Sequence, residues 1–524
     1  MEFLNFLLAI SPIALVLVGI LSFKKPAMKV APVALLWTVL LALTYFNING
    51  LTFSQNVAVL DAELWKGIKE GFKIAFMVFG AFVILNTLKK TGAIEDVKHT
   101  VAAVSGQDRR VQLIIIGMMV PIFLEGAAGA GAPAALAAPF LVALGFNPIT
   151  AIAAALLGDA TPCSWGGAGL TTINGGAALV DGGVSTVAMN SAMVGRFHMF
   201  GVLVIPFLMV ALAFGRKGFK GIVPYLLYAG VTTGAVMFIL SNFVGPEITS
   251  MGTGLLAILL SVAYVKAVPI HTPEAFQYKV TETVERKYSA VKALSPYIYI
   301  LILLPLVRYG VPALWPKHGF AAMCTFGYIG WVDAVIFLCA LLGAFTLGVN
   351  RKELSAILTQ TVKNVMPVMV TMSSLLIVSY IMQSGETGMI TLVAKDIAGV
   401  AKGFYPAAAV LIGAMGSFIT GTGLGSNLMF APLHMEAAAT LGMNPVTIFA
   451  GQNAAASLGN LICPNNTVAA CATVGEVGNE SKVMKKTLAV FAVLLALYMV
   501  LAMLYTLVLF PDYGRELWGM LSAQ

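Results

Sequence analysis

Charged residues make up only 10% of this 524-residue chain, too few to clothe a water-soluble globule of that size. No Cys-x-x-C pair occurs among its five cysteines, Cys163, Cys324, Cys339, Cys463 and Cys471, so neither a disulfide framework nor a thiolate metal site is expected. Alternation of apolar and polar residues, the mark of a membrane-spanning strand, is also missing. The apolar runs are continuous and about 20 residues long, which points to helices rather than a barrel. No His-Glu-x-x-His occurs, Asp159 lies in Leu-Leu-Gly-Asp rather than Gly-x-Gly-Asp, and Ser426 has no positioned base. An intramembrane hydrolase therefore lacks its parts, and no enzymatic activity is expected. His434 and Glu436 stand without a second histidine at ligand spacing, so no metal and no cofactor are expected either. The formal charge of +8 is spread over loops and gives no reason to expect nucleic acid.

What is present is apolar: 59% hydrophobic residues and a mean hydropathy of +0.91. The chain reads as an all-α polytopic membrane protein, embedded in the lipid bilayer with about 12 to 14 membrane segments. Spans are expected near 3–23, 28–47, 68–88, 188–214, 222–243, 249–266, 293–311, 325–349, 364–384 and 485–511, with broken regions at 111–175 and 404–474. The first run, lacking a basic leader and a cleavage site, reads as a retained span. Basic loops carrying Lys24 and Lys25, Lys89 and Lys90, Arg109 and Arg110, Arg216 and Lys217, Arg286 and Lys287, and Arg351 and Lys352 read as cytoplasmic, which leaves the N-terminus outside.

Similar short strings recur about 300 residues apart. Lys90-Thr91-Gly92-Ala93-Ile94 returns as Glu386-Thr387-Gly388-Met389-Ile390, Gly145-Phe146-Asn147-Pro148 as Gly442-Met443-Asn444-Pro445, and Leu157-Gly158-Asp159 as Leu458-Gly459-Asn460. Because the first of these loops is basic and its counterpart nearly balanced, the halves are expected to be inverted in the membrane. The expected division is 1–220 and 293–524 as inverted repeats with re-entrant hairpins and broken helices, linked by 221–292. Such repeats are the mark of a secondary transporter with its site near the midplane.

Glycines at 126–133 and 420–427 disfavour continuous helix, and each Asn-Pro ends one helical piece and begins another. Half-helix N-termini there offer unpaired N–H groups to an anion. Gly126, Ala127 and Gly129 in the first break and Thr422, Gly423, Ser426 and Asn427 in the second, with Thr161, Ser164, Asn453, Asn460 and Asn465, are candidates to hold a small anion or to satisfy unwound backbone. Arg196 is a candidate to neutralise that anion, to pair with Asp159, or to extend to the interface. Glu125 and Asp159 are sharper. A carboxylate at mid-membrane costs roughly 2.5 to 3.5 kcal/mol, so both should be paired, hydrated or protonated part of the time. The aligned positions of the second half carry Thr420 and Asn460, so one half titrates and the other is neutral. That asymmetry favours proton coupling, with Glu125 and Asp159 as the coupling groups. Unwound carbonyls near Gly126 and Gly423 would equally suit a sodium-coupled symporter of other small carboxylates.

Phe123-Leu124-Glu125-Gly126-Ala-Ala-Gly129-Ala-Gly-Ala-Pro133, Asn147-Pro148, Gly451-Gln452-Asn453 and Cys463-Pro464-Asn465-Asn466-Thr467 together resemble the lactate permease family of bacterial inner-membrane carriers. The likeness runs over nearly the full chain. It implies proton-coupled import of L-lactate, with D-lactate or glycolate as further substrates, by a multi-pass protein of the inner membrane whose hairpins move against a scaffold. A small monocarboxylate anion and protons are then its partners, and an oligomer is compatible with this reading.

Overall fold

A computed structural model describes residues 2–23, 25–46, 53–104, 107–127, 132–278, 287–310, 314, 331–384 and 388–514. Among these every regular element is helical. The lone β feature is a bridge between Asp108 and Gln277. In chain order the helices are α1 (Glu2–Leu17), α2 (Ala27–Thr44), α3 (Phe53–Thr91), α4 (Ala93–Val104), α5 (Arg109–Ile114), α6 (Val120–Ala127), α7 (Ala132–Ala143), α8 (Pro148–Gly158), α9 (Gly166–Ile173), α10 (Ala177–Asp181), α11 (Val187–Phe214), α12 (Val223–Phe243) and α13 (Pro246–Ala267). They continue as α14 (Ala290–Ala293), α15 (Ser295–Pro305), α16 (Trp331–Thr346), α17 (Arg351–Gln383), α18 (Met389–Ala401), α19 (Tyr405–Thr420), α20 (Gly423–Leu441), α21 (Pro445–Gly459), α22 (Pro464–Thr473) and α23 (Glu480–Leu504).

Six helical stretches among the described residues are long and apolar enough to cross a bilayer, α11, α12 and α13 among them. The chain is a polytopic membrane protein. At 1.5 Å per residue α3 runs about 58 Å and α17 about 50 Å, each well beyond a hydrocarbon core of about 30 Å. Sequence periodicity located only their apolar portions, 68–88 and 364–384. The two long helices pack along each other, and Gly67-x-x-x-Gly71 is the reason they approach so closely. A Cβ at Gly71 would stand 2.7 Å from the Ser373 backbone, and one at Gly67 would run into Ile377; small residues at this spacing let helix backbones meet in a membrane.

Two helices in the first broken region are short. At 11 residues α8 spans about 16 Å, and at 12 residues α7 spans about 18 Å, so neither crosses alone. The recurring strings explain where they start. Asn147 accepts hydrogen bonds from the Ile149 and Thr150 N–H groups at 3.1 and 3.3 Å, and Asn444 accepts from Val446 and Thr447 at 2.9 and 3.3 Å. In each case proline occupies the first helical position, where its missing N–H costs nothing. The preceding turns are left-handed at Gly145 (φ 83°) and Gly442 (φ 64°), a conformation that favours glycine. The second break is narrower than its sequence suggests. α19 ends at Thr420 and helix resumes at Gly423, because the Thr422 hydroxyl caps α20 by accepting the Gly425 N–H at 3.0 Å.

Element order therefore repeats: a long helix, a short amphipathic one, a broken pair, and an Asn-Pro helix followed by another short helix. A long helix follows each of these runs and packs on the Asn-Pro helix of the other. α11 packs on α21, and α23 packs on α8. Buried apolar side chains form two main clusters, one around α5–α8, α11–α13 and α23, the other around α1, α2, α17 and α19.

Candidate functional site

The last turn of α6 is clamped from outside. Gly254 of α13 lies against the Phe123 backbone, Gly126 lies against the backbone of Met251, and the Ser250 hydroxyl donates to the Ile122 carbonyl at 2.7 Å. With α6 fixed on that side, Glu125 is turned inward and is only 1% exposed. Asp159, the C-cap of α8, is 2% exposed. The two carboxyls meet within hydrogen-bonding contact. Among the described residues, no N–H or O–H reaches Glu125 Oε2 or Asp159 Oδ1, and no lysine or arginine acts on either carboxyl. Two bare carboxylates offer only acceptors. The contact is satisfied when a proton lies between them, and that same proton removes one of two uncompensated buried charges.

Cys163 joins this pair to the other half of the chain. It sits in the 3₁₀ turn Pro162–Trp165, its thiol in hydrogen-bonding contact with Glu125 and with the backbone of Gly423. Asn460, the C-cap of α21, donates its Nδ2–H to Cys163 Sγ at 2.7 Å, while the Ser417 hydroxyl donates to Asn460 Oδ1 at 2.6 Å. Two helices begin here. A Cβ at Gly166, the first residue of α9, would collide with Glu125 Oε1, and one at Gly423, the first of α20, would stand 3.3 Å from Cys163 Sγ. Helix N-termini carry a partial positive charge, so both favour one negative charge at this point.

Beside the acid pair lies a neutral network. Ser164 Oγ contacts His198 Nε2 and Ser457 Oγ at 2.8 Å each and the Asn453 carbonyl at 3.2 Å. His198 Nδ1 meets Tyr498 Oη at 2.8 Å. The carbonyl only accepts, so Ser164 gives it its single proton, His198 Nε2–H and the Ser457 hydroxyl donate to Ser164, and Tyr498 donates to Nδ1. A neutral imidazole satisfies every member. Asn453 Nδ2 donates to Thr172 Oγ1 at 2.9 Å, whose hydroxyl donates to the Ser164 carbonyl at 2.6 Å. Gln452 Nε2 donates to Asn427 Oδ1 at 2.9 Å and to Ser426 Oγ at 3.1 Å, and Asn427 Nδ2 reaches the Thr171 carbonyl at 2.9 Å.

Sequence candidates thus divide. Glu125 and Asp159 meet directly, Asn460 and Gly423 join them through the Cys163 thiol, and Thr161 lies in the turn between Asp159 and Cys163 with its hydroxyl buried and unpartnered. Ser164, Ser426, Asn427 and Asn453 form the adjoining network, in which Ser164 and Ser426 have their hydroxyls committed. Thr422 serves as a helix cap. Asn465 lines a small apolar cavity with Phe418, Ile419 and Val378 and keeps Oδ1 unpartnered. Gly126 abuts α13, Ala127 ends α6, and Gly129 lies outside the described residues. Arg196 is not brought to the acids: its guanidinium stacks over Phe510 at 4.7 Å and Tyr513 at 4.9 Å. Ser417, Ser457, Gln452 and the partnering role of Cys163 were missed. Ser457 had a legible signal, four residues after Asn453 and hence on the same helical face; the Cys163 contacts had none.

Over residues 5–326 and 316–509 the chain matches the family model described as L-lactate permease. The L-lactate permease of Salmonella typhimurium is 26% identical over 87% of this chain and 88% of its own. That of Bacillus subtilis is 26% identical over 79% and 81%, and a glycolate permease of Escherichia coli is 24% identical over 92% of each. All three are named permeases, which are transport proteins rather than enzymes. Among solved structures, the YdaH transporter of Alcanivorax borkumensis covers 91% of this chain and 98% of its own at 14% identity and a TM-score of 0.39, a likeness too distant to carry an argument.

Proposed function

The chain belongs to the L-lactate permease family, and from that premise we propose that it imports L-lactate, with D-lactate or glycolate as further substrates, together with protons across the bacterial inner membrane. Residues 1–220 and 293–524 act as two copies inverted across the bilayer, joined by 221–292. The observation that carries proton coupling is the buried contact of Glu125 with Asp159, on which no lysine or arginine among the described residues acts. With the pair fully ionised, its own charge occupies the N-termini of α9 and α20 and repels an incoming carboxylate. Protonation withdraws that charge, and a monocarboxylate takes its place at the same N–H groups, with Asn427, Asn453 and Thr161 beside it. Proton and anion then enter together because each makes the other's burial less costly.

Uptake of labelled L-lactate into proteoliposomes tests this, with an inward pH gradient, with and without Na⁺. Accumulation should follow the gradient, ignore Na⁺ and be blocked by unlabelled glycolate. Glu125→Gln should abolish gradient-driven accumulation while lactate exchange persists. Accumulation that requires Na⁺, or a Glu125→Gln variant that accumulates fully, overturns the proposal.

A further inference from the structure

The acid pair belongs to one half of the chain and Asn460 to the other, yet a single thiol touches both. Cys163 is reached by the Glu125 carboxyl, by the Gly423 backbone and by Asn460 Nδ2 at 2.7 Å, and beyond Asn460 the link continues to Ser417 at 2.6 Å. The titratable groups acting on the thiol are Glu125, from the end of α6, and Asp159, from the end of α8. Among the described residues, the second-half groups bonded to the thiol are the neutral Asn460 and the Gly423 backbone. His198 of α11 is turned to Ser164 and Tyr498 and takes no part.

Resting on the proton-coupled reading above, we propose that Cys163 is the positioning residue that transmits the protonation state of Glu125 and Asp159 to the Thr420–Gly423 break and the Asn460 cap of the second half. The thiol suits this because it is both a weak donor and a weak acceptor. Facing an ionised Glu125, the S–H donates to the carboxylate while sulfur accepts from Asn460 and Gly423, which ties α6, α20 and α21 to one atom. Facing a protonated Glu125, the S–H keeps only a neutral oxygen as acceptor, a weaker partner than the carboxylate, and the tie weakens. The halves then separate more readily when the pair carries its proton. No covalent step is involved, and the proton stays with the carboxyls.

The test uses the full chain in proteoliposomes, with Cys163→Ala, Cys163→Ser and Ser417→Ala. Two quantities are read from each: accumulation under a pH gradient across a range of external pH, and lactate counterflow without a gradient. A merely structural cysteine would lower both together. The proposal expects Cys163→Ala to lose at least ten times more accumulation than counterflow and to flatten the pH profile. It expects Cys163→Ser to restore the profile, and Ser417→Ala to flatten it partly. Equal losses in both assays for Cys163→Ala, or a wild-type profile in either alanine variant, overturn it. Should Cys163→Ala fail to fold, Ser417→Ala alone decides, since it removes only the far hydrogen bond. Wild-type protein that ignores the gradient would sink the proton-coupled reading itself, and this inference with it. A wild type that couples beside a Cys163→Ala variant that couples equally well sinks the inference alone.

Discussion

Gly166→Ala separates the position of the Glu125 carboxyl from its chemistry. Gly166 has φ −58° and ψ 146°, which alanine adopts without strain, so the substitution by itself is worth about 0.4 to 1 kcal/mol in favour of folding through the unfolded chain. Opposing this, the new Cβ would run into Glu125 Oε1 and stand 3.1 Å from the carboxyl carbon. The obstructing atom is the far end of a flexible side chain, so the carboxyl moves and the backbone stays. What is lost is its contact with Asp159, about 1.5 to 3 kcal/mol for a hydrogen bond to a charged group. Net destabilisation is then about 0.5 to 2.6 kcal/mol by those two figures, and the thermal midpoint in detergent should fall by only a few degrees. If the same contact energy governs coupling, gradient-driven lactate uptake falls by about ten- to 150-fold, at about 1.4 kcal/mol per decade. Both carboxyls are still present and still titrate. Wild-type accumulation in Gly166→Ala would refute the claim that their contact is what couples, and a collapse of the thermal midpoint would refute the claim that the carboxyl yields.

Asp159→Asn gives Glu125 a permanent amide donor in place of the shared proton, which holds Glu125 ionised, so the dependence of uptake on external pH should weaken while counterflow continues; the pH profile of uptake checks it. Arg196→Ala should leave lactate uptake within about twofold and lower the thermal midpoint slightly, since each of its two half-buried cation–π contacts is worth about 0.5 to 2 kcal/mol. A large rise in the lactate concentration needed for half-maximal uptake would instead put Arg196 on the substrate. Asn444→Ala should cost about 1 to 2 kcal/mol of stability from the cap alone. The cost should exceed that of Asn147→Ala, because Asn444 Nδ2 also donates to the carbonyls of Phe510, Pro511 and Tyr513; the two thermal midpoints compare them. Arg110→Ala should reduce the yield of folded protein. It strands Asp108, paired with Arg110 at 2.6 Å in a buried contact, and breaking such a pair costs about 3 to 5 kcal/mol.

Sequence alone determined the solvent and the punctuation. With 10% charged residues the chain has to lie in lipid, and each Asn-Pro has to begin a helix, because asparagine caps it and proline fits only its first turn. Glu125 and Asp159 stood out as candidates because a carboxylate in apolar surroundings has a cost that composition reveals, and both are buried. What tertiary structure decided is which of these side chains meet. Nothing in the spacing says that Cys163 touches Asn460, 297 residues away, or that His198 faces Ser164 while Arg196, two residues earlier on the same helix, turns to Phe510 and Tyr513. Periodicity tells which face of a helix is apolar, but in a membrane protein nearly every face is, so it cannot choose the neighbour. That choice is made by close contacts at small residues. Gly254 and Gly126 press α13 and α6 together and turn Glu125 inward, and the missing side chain at Gly166 leaves the space its carboxyl occupies beside Asp159.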